Sequence, residues 1–187
     1  MIIEGNDPFR EPSFTLGQRL RRQLWNTTWL FLFRPSPRPL HGWRNALLRL
    51  FGAKLGRHVH VQASVKIWAP WNLEVGDFVG IGDGVTIYSM AGIRIDDYAV
   101  VSQGTHLCAG THDFNAPNFQ LTSSPIRVGA RVWLCAETFV GPGVSIAEGS
   151  VIAARGVVCK SIAKPWRVWG GVPVREIGAR NKERVLG

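Results

Sequence analysis

The residues best suited to proton transfer lie in one polar segment of the chain, which reads HDFNAPNF from His112 to Phe119. Its proline and asparagines are typical of a loop. A histidine side chain titrates near neutral pH, so it can accept a proton and later return it. His112, which is followed by Asp113, is therefore a candidate for acid–base chemistry.

The elements that must position this segment follow a repeat of six residues. An aliphatic residue recurs at every sixth position from Val128 to Val158, and each is followed by a small residue. The pairs are Val128-Gly129, Leu134-Cys135, Val140-Gly141, Ile146-Ala147, Ile152-Ala153 and Val158-Cys159. A period of six fits neither an amphipathic helix nor an alternating strand. It is typical of a parallel β-helix, in which each repeat forms one side of a coil.

The same phase continues upstream to Val61, with two-residue slips beside Pro70 and Ala91. We expect the aliphatic side chains to fill the coil and the small residues to let the chain turn tight corners. Backbone pairing should then run from coil to coil.

The longest interruption lies between Leu107 and Val128, which are 21 positions apart, three more than three repeats. Residues 109–125 are therefore predicted to form an external loop on a rigid scaffold, where binding and catalytic groups tend to lie. A surface insertion without a function is the alternative interpretation.

Composition agrees with a single domain. The chain has 187 residues, of which 45% are apolar, enough to bury a full core. Three cysteines, Cys108, Cys135 and Cys159, occupy the small position of the repeat, so we interpret them as space-filling residues in a reducing cytoplasm.

The net charge of +9 is concentrated at the two ends of the chain. Residues 1–58 carry ten Lys/Arg against three acids, and residues 126–187 carry ten against four. Such a chain is suited to bind an anionic membrane surface or a phosphorylated small molecule. Nucleic acid is disfavoured because no recognised reading module accompanies the charge.

The N-terminal segment, from Phe14 to Phe33, places arginines ahead of an apolar stretch rich in tryptophan. The apolar run is too short to span a bilayer. The segment is predicted to be a helix that caps the open end of the coil. As a weaker second role, it would rest on the inner leaflet through Trp25, Trp29, Leu30, Phe31 and Phe33, with Arg19, Arg21 and Arg22 supplying attraction. A second helix is predicted at Leu40–Phe51, ending at Gly52.

The ordered motifs resemble those of hexapeptide-repeat acyltransferases of the left-handed β-helix superfamily, and most closely the group of colanic-acid and exopolysaccharide O-acetyltransferases. The matching motifs are LLRLFGAKLG at 47–56, PWNL at 70–73, LCAGTHDF at 107–114, VWL at 132–134, GPGV at 141–144 and GGVP at 170–173. The resemblance implies a left-handed coil, a homotrimer with sites at the subunit boundaries, and direct transfer of an acetyl group.

The resemblance also implies roles for particular residues. His112 would be the general base, oriented by Asp113, by Asp97 or by a backbone carbonyl. The N–H of Ala136 would stabilise the oxyanion. Trp133 would line the part of the site that holds the acceptor or the pantetheine arm. Its alternative role is packing between neighbouring subunits.

The implied donor is acetyl-CoA. Its pantetheine arm would contact the backbone of Ala154 and Cys159, while Lys160 and Arg175 would approach the nucleotide phosphates. The chain departs from the common family pattern at residues 153–156, which read AARG, and at 171–174, which read GVPV.

Three other functions are weighed against O-acetylation of a surface-polysaccharide, lipopolysaccharide or glycolipid sugar. The same motifs suit N-acetylation of an amino sugar. A γ-class carbonic anhydrase would need a zinc site built from histidines, but the chain lacks the later histidine pair that is typical of that class, so no metal is expected. A non-catalytic scaffold would be expected to have lost His112.

The predicted organisation has three parts. Residues 1–56 form a helical capping segment, residues 57–170 form the β-helix with its catalytic loop, and residues 171–187 form a C-terminal tail. The expected location is the cytoplasm, with peripheral contact at the inner membrane as the second expectation.

Overall fold

The structure is a computed structural model that describes residues 2 and 7–187. Short strands follow one another around a three-sided coil of about six turns, and each side of the coil is a parallel sheet. Sheet A contains β1 (Lys54–Leu55), β4 (Leu73–Val75), β7 (Ile93–Ile95), β12 (Ile126–Val128) and β15 (Ser145–Ile146). Sheet C contains β3 (Lys66–Ile67), β6 (Thr86–Tyr88), β9 (His106–Cys108), β14 (Phe139–Val140) and β17 (Val157–Val158).

Sheet B is the longest of the three sheets and closes with an antiparallel pair. It contains β2 (His60–Val61), β5 (Gly80–Ile81), β8 (Val100–Val101), β13 (Trp133–Leu134), β16 (Val151–Ile152), β18 (Arg167–Gly171) and β19 (Val174–Ala179). The remaining strands, β10 (Gly110–His112) and β11 (Leu121–Ser123), form a separate hairpin. The sheets meet at three edges, which we call AB, BC and CA after the sheets that the chain joins there.

The residues of the six-residue period stack in columns inside the coil. In sheet C, for example, Ile67 pairs with Ile87, Ile87 with Leu107, and Leu107 with Val140. All four side chains are buried. The predicted inward column and coil-to-coil pairing are therefore confirmed.

The small residues of the repeat have a different role from the predicted one. Left-handed backbone occurs three positions after the inward residue, for example at Phe78, Tyr98 and Arg131, and not at the small residue. A Cβ on Gly129 would lie 2.7 Å from the Ile146 carbonyl oxygen of the next coil. Glycine is thus needed at position 129 because adjacent coils approach closely there.

The helices lie against the first coil. They are α1 (Leu16–Thr28), which continues into a π-helical turn at Trp29–Phe33, and α2 (His41–Leu50). Thr15 caps α1 through a reciprocal pair of hydrogen bonds with Gln18. Helix α2 begins and ends within one residue of the predicted boundaries. Gly52 lies two residues after its end and has a φ of 94°. A short 3-10 turn occupies Pro70–Asn72, and α3 (Lys182–Leu186) ends the chain.

Side chains of this helical segment satisfy the exposed carbonyls of the first coil. The N–H groups of its strands donate to the second coil, as His60 N does to Val79 O at 2.9 Å, so the strand carbonyls face away from the stack. Trp25 Nε1 donates to Ile67 O at 2.6 Å, and Trp29 Nε1 donates to Val65 O at 2.8 Å. Further donors are Arg44 to Val61 O, Asn45 to Val59 O, and Arg49 to Leu55 O and Gly56 O. The open end of a parallel β-helix would otherwise leave these acceptors unpaired.

This arrangement corrects the set of residues expected to touch lipid. Trp25 and Phe33 are fully buried, and Trp29 is partly buried against the core. Only Leu30 and Phe31 of the predicted set are exposed. Arg21 and Arg22 stack on Trp71 and Trp68, with the guanidinium carbon 4.1 Å and 4.8 Å from the ring centroids.

The segment predicted as a C-terminal tail is folded. Strand β19 returns antiparallel along β18, with Gly171 paired to Val174 and Gly170 paired to Arg175. Arg180 Nη1 then donates to the carbonyls of Arg131 and Gly149, which ties the end of the chain to the coil. The boundary expected at residue 170 therefore falls inside β18.

Candidate active site

The loop that carries His112 is an insertion at the CA edge of the third coil. It leaves sheet C after β9 and folds into the β10–β11 hairpin, in which His112 pairs with Leu121. Ala109 N donates to Tyr88 O at 3.1 Å, and Ser124 N donates to Ala109 O at 3.0 Å, so both ends of the loop are anchored. Gly110 is required because a Cβ there would collide with the side chains of Met90 and Tyr88.

A backbone carbonyl orients the His112 ring. Nδ1 lies 2.7 Å from Phe119 O, and a carbonyl oxygen can only accept, so Nδ1 carries the hydrogen. Nε2 is then left with its lone pair in an exposed side chain. Phe119 has a φ of 46°, a left-handed conformation that costs on the order of 1–3 kcal/mol for a residue other than glycine. The strained residue is the one that holds the ring.

The two aspartates considered as orienting groups make other contacts. Asp113 Oδ1 accepts a hydrogen bond from Asn115 N at 2.9 Å, which closes a turn inside the loop. Asp97 Oδ1 accepts from Asp77 N at 2.8 Å on the AB edge, far around the coil from the loop. Of the three orienting groups proposed from sequence, the structure favours the carbonyl.

Ala136 and Ala154 lie at the BC edge in consecutive coils. Arg155 N donates to Ala136 O at 2.9 Å, so the two turns stack directly. The N–H groups of Ala136 and Ala154 make no hydrogen bond to any other described residue. Both are therefore free to donate to a ligand that lies along this edge. Arg175 lies near the same edge, one layer further along the stack. It pairs with Gly170 across β18 and β19, and Gly170 lies close to the Ala153 side chain.

Trp133 stands on the outer face of sheet B next to this edge. Its indole Nε1 donates to Ser102 Oγ at 2.9 Å, which fixes the ring, and 44% of the residue is exposed. The neighbouring Cys135 is half-buried, and burial raises the pKa of its thiol above the usual value. A thiol that stays protonated is a poor nucleophile, which agrees with the space-filling role predicted for it.

The remaining candidates, Cys159 and Lys160, follow β17 and therefore lie at the CA edge, on the side of the His112 loop. The predicted site residues thus fall into two groups. His112, Asp113, Cys159 and Lys160 lie along the CA edge, and Ala136, Ala154 and Arg175 lie along the BC edge. Sheet C separates the two groups, so one chain does not bring them together.

The loop also borders open space. A surface cavity of about 640 Å³ lies between β11 and the CA-edge turns of earlier coils, with Asn72, Met90 and Gln120 among its walls. Among the described residues, no three His, Cys, Asp or Glu side chains converge as a metal ion would need. Likewise, none of the described helices is both long enough and apolar enough to cross a bilayer.

A backbone carbonyl was expected from sequence as one possible partner of His112, but the sequence did not identify it as that of Phe119, and Ser102 was missed. A backbone acceptor has no side-chain signature, and the left-handed conformation of a phenylalanine has none either. The contact of Ser102 with Trp133 depends on the pairing of β8 with β13, whose paired residues Val100 and Trp133 lie 33 positions apart and are separated by β9, the loop and β12.

The chain is thus a parallel β-helix of short repeats with a loop at one edge that carries His112. No protein-family model matches the chain. It is, however, 42% identical over 149 residues to the colanic acid biosynthesis acetyltransferase WcaF of Escherichia coli (strain K12), covering 80% of this chain and 82% of that protein. The chain belongs to the hexapeptide-repeat acetyltransferases.

Solved structures support the same assignment. A galactoside acetyltransferase in complex with coenzyme A superposes with a TM-score of 0.83 and 25% identity, covering 93% of this chain and 88% of that chain. A hexapeptide-repeat acetyltransferase from Vibrio cholerae O1 biovar eltor, in complex with acetyl coenzyme A, gives a TM-score of 0.81 and 23% identity, with 91% and 93% coverage. The predicted fold class, a left-handed parallel β-helix with an N-terminal helical segment and an external loop, is confirmed, as is the enzyme class.

Proposed function

We propose that the chain transfers the acetyl group of acetyl-CoA directly to a hydroxyl of a sugar in a surface polysaccharide, lipopolysaccharide or glycolipid precursor. The observation that carries this proposal is the orientation of His112. The Phe119 carbonyl fixes the hydrogen on Nδ1, and Nε2 is left as an exposed base. The names of the relatives, a colanic acid acetyltransferase and a galactoside O-acetyltransferase, support a sugar acceptor.

The chemistry assigned to His112 is general base and then general acid. Nε2 removes the proton of the acceptor hydroxyl as that oxygen attacks the thioester carbonyl carbon. The Ala136 N–H donates to the oxygen that becomes negatively charged. When the carbon–sulfur bond breaks, His112 returns the proton to the thiolate of CoA. No acyl-enzyme is formed, so positioning of the two substrates contributes much of the rate.

Binding of CoA is proposed for the BC edge and the coils above it. The free N–H groups of Ala136 and Ala154 can donate hydrogen bonds to the carbonyl oxygens of a pantetheine arm. Arg175 adds a positive charge beyond them along the same edge. Residues 126–187, with ten Lys/Arg against four acids, suit a ligand that carries several phosphate charges. Lys160 would join from the CA edge of a neighbouring chain.

A homotrimer is proposed because one chain carries only half of each site. Placing the CA edge of one chain beside the BC edge of the next brings His112 close to Ala136, and repeating the operation three times closes the ring. Each of the three sites would then contain the base of one subunit and the oxyanion donor of another. We infer a cytoplasmic location, where the free cysteines stay reduced and the acceptor is reached at the inner leaflet.

The direct test is the His112→Ala enzyme, assayed with acetyl-CoA and a panel of sugars that offer hydroxyl or amine acceptors. Loss of a general base predicts a fall in kcat of about 10²–10⁴-fold, with unchanged binding of CoA by calorimetry. His58→Ala, at the AB edge, is the control. Turnover near that of the wild type would remove His112 from the mechanism, and a preference for amines would favour N-acetylation of an amino sugar.

A further inference from the structure

Helix α1 presents an apolar stripe on the side opposite its packed face. Leu16, Leu20 and Leu24 are spaced four residues apart, so they lie on one face of the helix. Their exposed fractions are 68%, 61% and 62%, and Phe31 in the following turn is 67% exposed. Side chains of this type are normally buried. No described residue covers the stripe.

The second helix also exposes an apolar face. Helix α2 directs Arg44 and Asn45 to carbonyls of the first coil, just as α1 directs Trp25 to Ile67 O. The opposite face of α2 carries Trp43, 45% exposed, and Leu50, 79% exposed. Both apolar faces therefore lie on the far side of the helices from the coil stack. We call this surface the basal face and define it by Leu16, Leu20, Leu24, Phe31, Trp43 and Leu50.

The helical segment that carries the basal face is basic. Residues 16–50 contain seven arginines and neither aspartate nor glutamate. Five of the arginines make other contacts: Arg21 and Arg22 with tryptophan rings, Arg38 with Asp83, and Arg44 and Arg49 with backbone carbonyls. Arg19 and Arg34 are exposed, on α1 and directly after its π-helical turn. Leucine and tryptophan on one surface with arginine around it is the composition of helices that lie in the interface of an anionic bilayer.

We propose that the basal face docks on an anionic lipid surface with both helices lying flat in the interface. Charge complementarity favours lipid over a second copy of the chain, because two basal faces placed together would oppose the same arginines. This contact uses none of the tryptophans that cap the coil. It is also independent of which acceptor the active site takes, so it can be tested without turnover.

The test is flotation of the full chain with vesicles of phosphatidylcholine that carry about one-third phosphatidylglycerol, and with phosphatidylcholine alone. We expect binding to the anionic vesicles that falls as salt is raised, since exposed charges are screened. The variant Leu16→Gln/Leu20→Gln/Leu24→Gln should bind at least about tenfold more weakly, because it removes apolar area from the contact. Arg19→Gln should weaken binding about fivefold.

A matched control exists at the other end of the chain. Val185 and Leu186 of α3 are exposed apolar residues outside the basal face. Val185→Gln/Leu186→Gln should float like the wild type. Circular dichroism and acetyl transfer to a water-soluble acceptor check that each variant is folded.

Three outcomes would overturn the proposal. One is the absence of flotation with anionic vesicles at low salt. Another is flotation that depends on Arg19 but is unchanged in the triple leucine variant, which would indicate electrostatic adsorption alone. The third is a change in oligomeric mass in the leucine variant, which would show that a second copy of the chain covers this face.

Discussion

The proposed two-chain site predicts that two inactive variants restore activity when they are assembled together. His112→Ala removes the base at the CA edge. Ala136→Pro removes the N–H donor at the BC edge, and proline is accepted in turns directly before a left-handed residue, here Glu137 with a φ of 59°. Loss of one oxyanion donor costs about 10²–10³-fold in kcat. Each variant alone should therefore be almost inactive.

The expected recovery follows from the arrangement of the edges. In trimers assembled at random from equal amounts of the two variants, half of the CA edges carry His112 and half of the BC edges carry Ala136. Each site combines one edge from each of two chains, so ~25% of the sites in the whole mixture are intact. Every trimer that contains both variants holds one intact site in three, so about one third of the wild-type activity should return in the doubly tagged species. A site contained in one chain would give no recovery at any ratio.

The assay uses co-expression of the two variants with different affinity tags, isolation of the doubly tagged species, and acetyl-CoA turnover per subunit. Light scattering gives the mass of the same sample. Doubly tagged trimers without activity would refute the placement of each site at a boundary, and a stable, active monomer would refute the trimer itself. The Ala136→Pro protein should melt cooperatively, which confirms that its turn is formed.

The remaining predictions concern the loop, the cap and the pH dependence of stability. Asp113→Asn should retain at least about half of the activity, because an amide oxygen can still accept from the loop N–H; a loss as large as that expected for a general base (about 10²-fold or more) would return the carboxylate to the mechanism. Trp25→Ala should lower the free energy of unfolding in urea by about 3–5 kcal/mol, whereas the exposed Trp43→Ala should cost roughly 1 kcal/mol or less; equal effects would contradict the capping role. Burial lowers the pKa of His106, so the unfolded chain binds its proton more readily, and the stability present above about pH 6.5 should be lost as the pH falls below that value. His106→Gln should flatten this dependence in denaturation midpoints measured between neutral and acidic pH, and an unchanged slope would exclude His106 as its source.

The sequence by itself determined the coil. A side of the coil is one repeat long, so each inward position is specified by its own hexapeptide, and residues such as Ile67, Val75 and Val128 could be assigned to the interior directly. It also located the loop, because an insertion breaks the period where it occurs. The ordered motifs along the chain, including the one around His112, identified the class of reaction through their resemblance to a known family. These properties are local, so they can be predicted from each short stretch of sequence.

The tertiary structure decided how the parts are held and which surfaces remain free. The carbonyl that orients His112 comes from Phe119, and its direction depends on the backbone of the folded loop. The separation of His112 from Ala136 by sheet C depends on how the coil closes. Trp25 and Leu24 are adjacent apolar residues, yet one is buried against Ile67 and the other is exposed. The type of an apolar residue indicates that burial is favourable, but it does not identify the surface that buries it. Only the packed coil provides that surface.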